Sequence, residues 1–310
     1  MNMATVLITG GTGLIGTALT KALVQKDYEV IIVSRSAKIS SQKNIDYVKW
    51  DVDKQIIDEK AIQKADYIVH LAGANVGERR WTKKRKKQII ESRIDTGKLL
   101  VKALKEIPNK VSAVISSSAI GYYGPDGQIP NPKPFVETDL ASANFLATTV
   151  QQWENAIEPV KDSGKRLAFF RTGIVLSNDG GAYKEFKKTL RFGVVSVLGN
   201  GKQKISWIHM DDLCRLYIEA IENESWRGVY NAVSPNPVSN QQLIKEIAKQ
   251  TRKFYITVKV PSIVLKIILG EMSIEVLKSA TVSSRKVERK AFRFLFPTIE
   301  AAIKNLEERK

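Results

Sequence analysis

Cysteine and histidine are scarce in this chain. One cysteine, Cys214, and two histidines, His70 and His209, stand among 310 residues. A single cysteine cannot close a disulfide within the chain, which fits a reducing compartment. Neither histidine has a cysteine or a carboxylate cluster at metal-ligand spacing, so no metal site is expected. His70 ends an apolar run and reads as a satisfied core residue. His209 lies in Trp207-Ile208-His209-Met210-Asp211-Asp212, whose aspartates read as helix N-caps. Cys214 falls inside that helix and reads as packing. No nucleophile elbow and no Ser/His/Asp arrangement is present. Long apolar runs are missing too. The longest are strand-sized, well under the ~20 residues that a membrane span needs. Met1 to Ile8 has no basic region followed by a long apolar stretch, so no secretory signal is expected. A soluble, cytoplasmic protein without a membrane partner is the expectation.

Acidic residues are the minority, 32 against 49 basic ones, a net charge of +17. Such a surface attracts polyanions but does not define a fold. The densest run is Lys83-Lys84-Arg85-Lys86-Lys87. It reads first as a solvated helix start and second as a guide for a phosphorylated ligand. Nucleic acid ranks third, because no zinc finger and no aromatic-interleaved basic pattern accompanies the charge.

Against these absences stands a regular alternation of strand and helix. Thr5–Thr9, Val30–Val33, Tyr47–Trp50, Tyr67–Leu71, Val111–Ile115 and Arg166–Val175 are short runs rich in Val and Ile. Helical segments separate them, beginning with Leu14 to Gln25. Continuous apolar strands alternating with helices imply a parallel sheet covered on both faces. Ile90, Ile94, Gly97, Val101 and Leu104 recur at 3.6-residue spacing and mark one apolar helix stripe. Arg93 lies at its edge and needs a partner, because burying an unpaired charge is costly. Residues 124–140 are rich in Pro, Gly, Asp and Asn and read as an irregular loop over the sheet's carboxyl edge. Beyond Pro235 helices dominate, over Gln241–Gln250, Ser262–Leu269 and Thr298–Glu307. The expected fold is α/β: a Rossmann-type doubly wound parallel sheet with a smaller, mostly helical C-terminal substrate domain. The first would span 1–177 plus 205–232, the second 178–204 plus 233–310.

The strongest motif is Thr9-Gly10-Gly11-Thr12-Gly13-Leu14-Ile15-Gly16, between the first strand and the first helix. Gly10 permits the tight turn, Gly13 lets backbone approach a pyrophosphate, and Gly16 lets helix and strand pack closely. Thr12, Leu14 and Ile15 complete the cradle, with the helix N-terminus offering free N–H groups to phosphate. The second strand ends in Val33-Ser34-Arg35-Ser36. An acidic residue there would bind the ribose 2′-hydroxyl of NAD; Ser34 and Arg35 suit a 2′-phosphate instead. NADP(H) is therefore favoured, with NAD(H) second.

The spacing Gly10-x-x-Gly13-x-x-Gly16 resembles the extended short-chain dehydrogenases/reductases. Leu71-Ala72-Gly73-Ala74 is similar to the family's segment closing over the adenosine, and Asp51 matches its adenine-binding aspartate. Arg79-Arg80-Trp81, Glu91-Ser92-Arg93, Ser116 to Gly124, Arg171-Thr172-Gly173, Ser206-Trp207-Ile208-His209 and Leu269-Gly270-Glu271-Met272 resemble an atypical branch, the epimerase-family proteins. The resemblance runs nearly end to end. It implies cofactor contacts from Leu71, Ala72, Gly73, Arg93 and Ser116, and a substrate-polarising role for Ser118. A nucleotide-sugar is the substrate class suggested.

One departure limits the chemistry. Family members use Tyr-x-x-x-Lys, in which a lysine favours the tyrosine's phenolate. The matching stretch is Asn144-Phe145-Leu146-Ala147-Thr148-Thr149-Val150. Starting at Phe145 puts Thr149 at the lysine position; starting at Leu146 puts Val150 there. Neither register supplies the pair, and Arg93 stands where relatives carry an asparagine. Tyr122 and Tyr123, just beyond Ser118, are candidate substitute acids, with Arg93 or a basic neighbour stabilising the phenolate. The alternative is that both tyrosines pack over the loop. Two functions follow: an NADP(H)-dependent oxidoreductase or epimerase acting on a small molecule, or a non-catalytic NADP(H)-binding sensor or scaffold.

Overall fold

β-branched and leucine residues drive the strands, and the parallel sheet follows them. The computed structural model describes residues 3–36, 40, 42–251 and 254–309. In chain order its strands are β1 (Thr5–Thr9), β2 (Glu29–Ser34), β3 (Ile45–Asp51), β4 (Ile56–Ile57), β5 (Tyr67–His70), β6 (Ala113–Ala119), β7 (Arg166–Thr172), β8 (Ile174–Leu176), β9 (Val194–Leu198), β10 (Lys204–Ile205), β11 (Trp207–His209), β12 (Gly228–Ala232), β13 (Val238–Ser239) and β14 (Ile256–Val260). The helices are α1 (Leu14–Val24), α2 (Glu59–Lys64), α3 (Lys83–Glu106), α4 (Phe145–Ile157), α5 (Gly181–Lys188), α6 (Met210–Glu222), α7 (Asn240–Gln250), α8 (Ser262–Leu269), α9 (Ser273–Leu277), α10 (Arg285–Glu288) and α11 (Ile299–Glu308).

The main sheet runs β12-β7-β6-β5-β1-β2-β3-β4. All its pairs are parallel except β3 with β4. Successive strand residues point to opposite faces. Val6 and Ile8 join a core with α1 and α6, whereas Leu7 joins the opposite core with α2 and α3. Both faces are covered, which explains strands with no polar alternation. Each such buried aliphatic side chain contributes about 1.5–3 kcal/mol. Chain order reverses at β1, which lies between β2 and β5. The crevice beyond the carboxyl ends of β1 and β5 is therefore a topological switch point, where ligands bind in open α/β sheets.

Several sequence expectations shift in detail. The apolar strand read as Arg166–Val175 breaks at Gly173, and β8 leaves the main sheet to pair with β11. The break is steric: a Cβ at Gly173 would lie 2.5 Å from the Ser206 carbonyl oxygen. The deepest face of α3 carries Ile89, Thr96, Leu99, Leu100, Ala103 and Leu104. Ile90, Ile94 and Val101 of the anticipated stripe lie on its half-buried flank. The difference arises because α3 packs on two sides, with Gly97 meeting Ala156 of α4. A third core, built from Tyr183, Trp207, Leu243, Ile247, Ile303 and neighbours, holds the C-terminal helices. That region also contains β14, parallel to β9. Among the described residues no helix is long and apolar enough to cross a membrane.

α6 begins differently from its sequence reading. Its N-cap is His209, whose Nδ1 accepts from the Asp211 N–H at 3.1 Å. Asp212 is fully buried and accepts from the N–H groups of Leu295 and Phe296 at 2.8 and 2.9 Å, anchoring the C-terminal segment. Cys214 packs in the core as expected, and burial pushes its thiol up to about 12.

Candidate active site and dinucleotide crevice

The glycine turn sits at the switch point. Gly10 has φ of +72°, and a Cβ there would lie 2.9 Å from the Leu71–Ala72 backbone. Gly16 is tighter still: its Cβ would come 2.4 Å from the Gly10 oxygen. Gly13 differs. A Cβ on it would meet only the Gly10 oxygen, at 3.2 Å, so its outer side opens on the crevice. Gly13 is the N-cap of α1 without any side-chain cap, and the first turn holds no acidic residue. The N–H groups of Leu14 and Ile15 thus find no acceptor among the described residues. Free donors, a positive dipole end and an open glycine make a cradle that fits a pyrophosphate. Thr12 is exposed beside it, and Leu14 touches the Gly180–Gly181 segment that leads into α5.

Around this turn the structure gathers the other expected cofactor residues. Ser34 ends β2 and its hydroxyl donates to the Ser36 carbonyl. Arg35 is exposed and has no carboxylate partner among the described residues. Asp51 ends β3, and its Oδ1 accepts from the Lys54 N–H at 3.1 Å. Leu71, Ala72 and Gly73 follow β5, with Gly73 exposed. His70 beneath them is fully buried, with Nδ1 2.7 Å from the Thr9 hydroxyl. Its Nε2 has no partner among the described residues, so it is less fully satisfied than the sequence suggested. Burial, with Arg93 nearby, pushes its pKa down to about 3.

Arg93 reaches this rim from α3. Its Nη1 donates to the carbonyls of Ala74 and Ile89, both at 3.0 Å, and its guanidinium lies 4.9 Å from the Trp153 ring. The partners are carbonyls and a ring, with no carboxylate. Burial and the Arg85 charge lower its pKa to about 10. A cation without a counter-ion beside Gly73 is suited to an anion or an oxygen in the crevice.

The expected catalytic group divides. Ser118 is buried, and its hydroxyl donates to Glu154 Oε1 at 2.6 Å. Glu154 is gripped by Arg171 through two 2.9 Å bonds. Arg171 Nη1 also donates to the Tyr123 hydroxyl at 3.1 Å, and that hydroxyl donates to Asn231 Oδ1 at 2.8 Å. Tyr123 is fully buried with its hydroxyl engaged on both sides, and burial pushes its pKa up to about 12. The phenolate anticipated for it is therefore disfavoured, and the cation beside it is Arg171 rather than Arg93. Tyr122 is half-buried, with the Arg171 guanidinium 3.4 Å from its ring centre. Ser116 is also buried, its hydroxyl donating to the Ser117 carbonyl at 3.1 Å.

The two readings of the missing Tyr-x-x-x-Lys are distinguished by packing. Leu146 and Val150 face Gly121 just past β6, whereas Thr149 turns its hydroxyl to the Phe145 carbonyl at 2.7 Å. The wall beside Gly121 is thus apolar. Glu154 continues that face at the i, i+4, i+8 spacing of Leu146 and Val150. Sequence reasoning passed over it, although a lone carboxylate on an apolar helical face was the available signal. Asn231 and Glu137 were missed because only the fold brings them beside Arg171. The basic run is also not uniformly solvated. Arg85 is buried against Glu78 at 2.9 Å, and Lys86 pairs with Glu271 at 2.5 Å.

This geometry, a glycine turn at the switch point of a doubly wound sheet, is that of a dinucleotide-binding protein. Residues 6–232 match the NAD dependent epimerase/dehydratase family, and residues 260–306 match a domain of unknown function. The chain belongs to the NAD dependent epimerase/dehydratase family. An epimerase family protein of Staphylococcus saprophyticus is 35% identical over 97% of this chain and 98% of its own length. The crystal structure of a human epimerase family protein with NADPH matches with a TM-score of 0.87 and 29% identity, covering 99% of this chain and 100% of that one. A nucleoside-diphosphate sugar epimerase from Corynebacterium glutamicum gives 0.78 and 31%, covering 99% of this chain and 59% of that one.

Proposed function

We propose that the chain binds NADP(H) in the β1–β5 crevice and carries out oxidoreductase or epimerase chemistry on a small molecule. The observation that carries this is the uncapped, open glycine turn at Gly13, and the NADPH-bound human relative supports it. Gly10, Gly13 and the N–H groups of Leu14 and Ile15 hold the pyrophosphate. Ser34 and Arg35 take the 2′-phosphate, Asp51 the adenine, and Leu71 to Gly73 the adenosine side. NAD(H) is the weaker cofactor, since Arg35 gains nothing from a bare ribose. The bound nicotinamide supplies hydride transfer. Arg93 offers a fixed positive charge to an oxygen in the crevice. Ser118, already donating to Glu154, keeps its lone pairs for a substrate hydroxyl. Tyr123 positions Arg171 and through it Glu154. A nucleotide-sugar fits as substrate, by likeness to the Corynebacterium protein.

The separate third core supports a substrate domain of 178–204 plus 233–310 beside a dinucleotide domain of 1–177 plus 205–232. Val287 and Phe292 lean back onto the larger domain. The buried free thiol accords with a cytoplasmic setting.

A second reading is favoured by Leu146, Val150 and the engaged hydroxyls: an NADP(H)-binding sensor or scaffold without turnover. Titrating the protein with NADPH and NADH tests the shared core of both readings. NADPH binding at least about tenfold tighter than NADH, reduced to parity in Arg35→Ala, is expected for a charge-assisted phosphate contact. Binding of neither nucleotide would overturn the proposal.

A further inference from the structure

The C-terminal region exposes an apolar face that no other described residue covers. α8 reads Ser-Ile-Val-Leu-Lys-Ile-Ile-Leu, and only Leu265 is buried. Ile263, Ile267 and Ile268 are 66%, 69% and 60% exposed, with Val264 also open. At 3.6 residues per turn these four side chains cover an arc of roughly 140°. β14 follows the same pattern, with Ile256 and Val258 exposed. Phe254 is fully exposed. Phe192 is also exposed and precedes Gly193, whose carbonyl accepts from the Ile256 N–H at 2.8 Å. Single exposed aliphatics need no explanation; four on one arc of a single helix do.

The charges around this face identify what covers it. Lys259, Lys266 and Arg191 are exposed and make no ion pair among the described residues. Glu271 and Glu275, which follow α8 in the chain, are paired with Lys86 and Lys278, and Glu185 with Lys188. The face is thus apolar with a positive rim, on a chain of net charge +17. A second copy would bring the same cations together across the contact, which is unfavourable. An anionic lipid surface instead takes up the aliphatic side chains and attracts the lysines. We propose that this face docks the protein peripherally on an anionic bilayer, with α8 lying in the interface rather than spanning it.

Arg80 Nη2 donates to the Ile267 carbonyl at 2.9 Å, and Lys86 couples Glu271 to α3 and lies 4.9 Å from the Phe145 ring. Phe145 meets Trp81 edge to face at 5.0 Å. The docking face is therefore tied to the aromatic pair Trp81–Phe145 next to the Leu146 and Val150 wall.

The test is vesicle sedimentation of the full chain without nucleotide, so that its failure is separable from failure of cofactor binding. Vesicles of phosphatidylcholine containing about one-third phosphatidylglycerol should retain the protein, at least about tenfold more strongly than phosphatidylcholine alone. Ile263→Ser with Ile267→Ser should abolish retention, and Lys259→Glu with Lys266→Glu should weaken it about tenfold. Leu295→Ser, at an exposed leucine elsewhere, should change nothing. Unchanged thermal melting of each variant shows that folding is intact. No retention by anionic vesicles, or retention indifferent to the isoleucine pair, overturns the proposal. So does a concentration-dependent dimer in sedimentation velocity that the isoleucine substitutions dissociate, since the face would then belong to a second copy.

Discussion

Gly13→Ala should separate folding from cofactor binding. Gly13 has φ of −82°, which alanine adopts freely. The added methyl meets one protein atom, the Gly10 oxygen at 3.2 Å, and otherwise fills the space assigned to the pyrophosphate. Folding stability should therefore stay within about 0.5 kcal/mol. Overpacking against a bound ligand costs about 1–3 kcal/mol, which weakens binding roughly 5- to 150-fold. Gly16→Ala is the contrasting change. Its methyl would come 2.4 Å from the Gly10 oxygen and 2.5 Å from the Gly11 Cα, so backbone must move. We expect a loss of about 2–3 kcal/mol and a Tm lowered by roughly 5 °C, before any ligand is added. Gly127→Ala, with no atom within 4 Å, is the neutral control. Thermal melting with and without NADPH, followed by calorimetric titration, reads all three. A Gly13→Ala protein that binds NADPH as the parent does would refute placement of the pyrophosphate over this turn.

Two further outcomes follow from the buried groups. Glu154→Gln removes the counter-charge of buried Arg171, with Glu154 itself largely buried, and should cost about 3 kcal/mol in urea unfolding; a loss below about 1 kcal/mol would show the pair to be dispensable. His70 takes up a proton near 6.5 when unfolded but only near 3 when folded, so between these values the unfolded chain binds more protons. Its contribution is complete above about pH 6.5 and falls by roughly 1.4 kcal/mol per pH unit as pH drops. His70→Asn should make the acid loss of stability shallower, and an unchanged slope from pH 7 to about 4 would contradict this.

The fold was legible because its signals are local and mutually consistent. Uninterrupted Val and Ile runs, glycines after the first strand and the switch to helical spacing each point to a doubly wound sheet. The open crevice was legible for the same reason, since Gly10 to Gly16, Ser34–Arg35 and Leu71 to Gly73 each follow a strand end. The buried polar chain was not. Ser118, Glu154, Arg171, Tyr123 and Asn231 come from three strands, one helix and the segment after β6, and no sequence spacing records their contacts. Exposure was equally hidden: Tyr123 sits one residue beyond half-buried Tyr122, yet is sealed by Phe135, stacked at 5.2 Å, and by Asn231. The α6 cap misled because His209 and Asp211 both suit a helix start, and only backbone geometry selects the histidine.

The central claim is that NADP(H) lies across the carboxyl ends of β1, β2 and β5. Amide hydrogen exchange with and without NADPH tests it directly. Slowed exchange is expected in Gly10–Gly16, Ser34–Arg35 and Leu71–Ala74, with Leu14 and Ile15 protected most, because their N–H groups lack acceptors without the cofactor. Protection confined to the C-terminal helices, with these segments unchanged, would contradict the account.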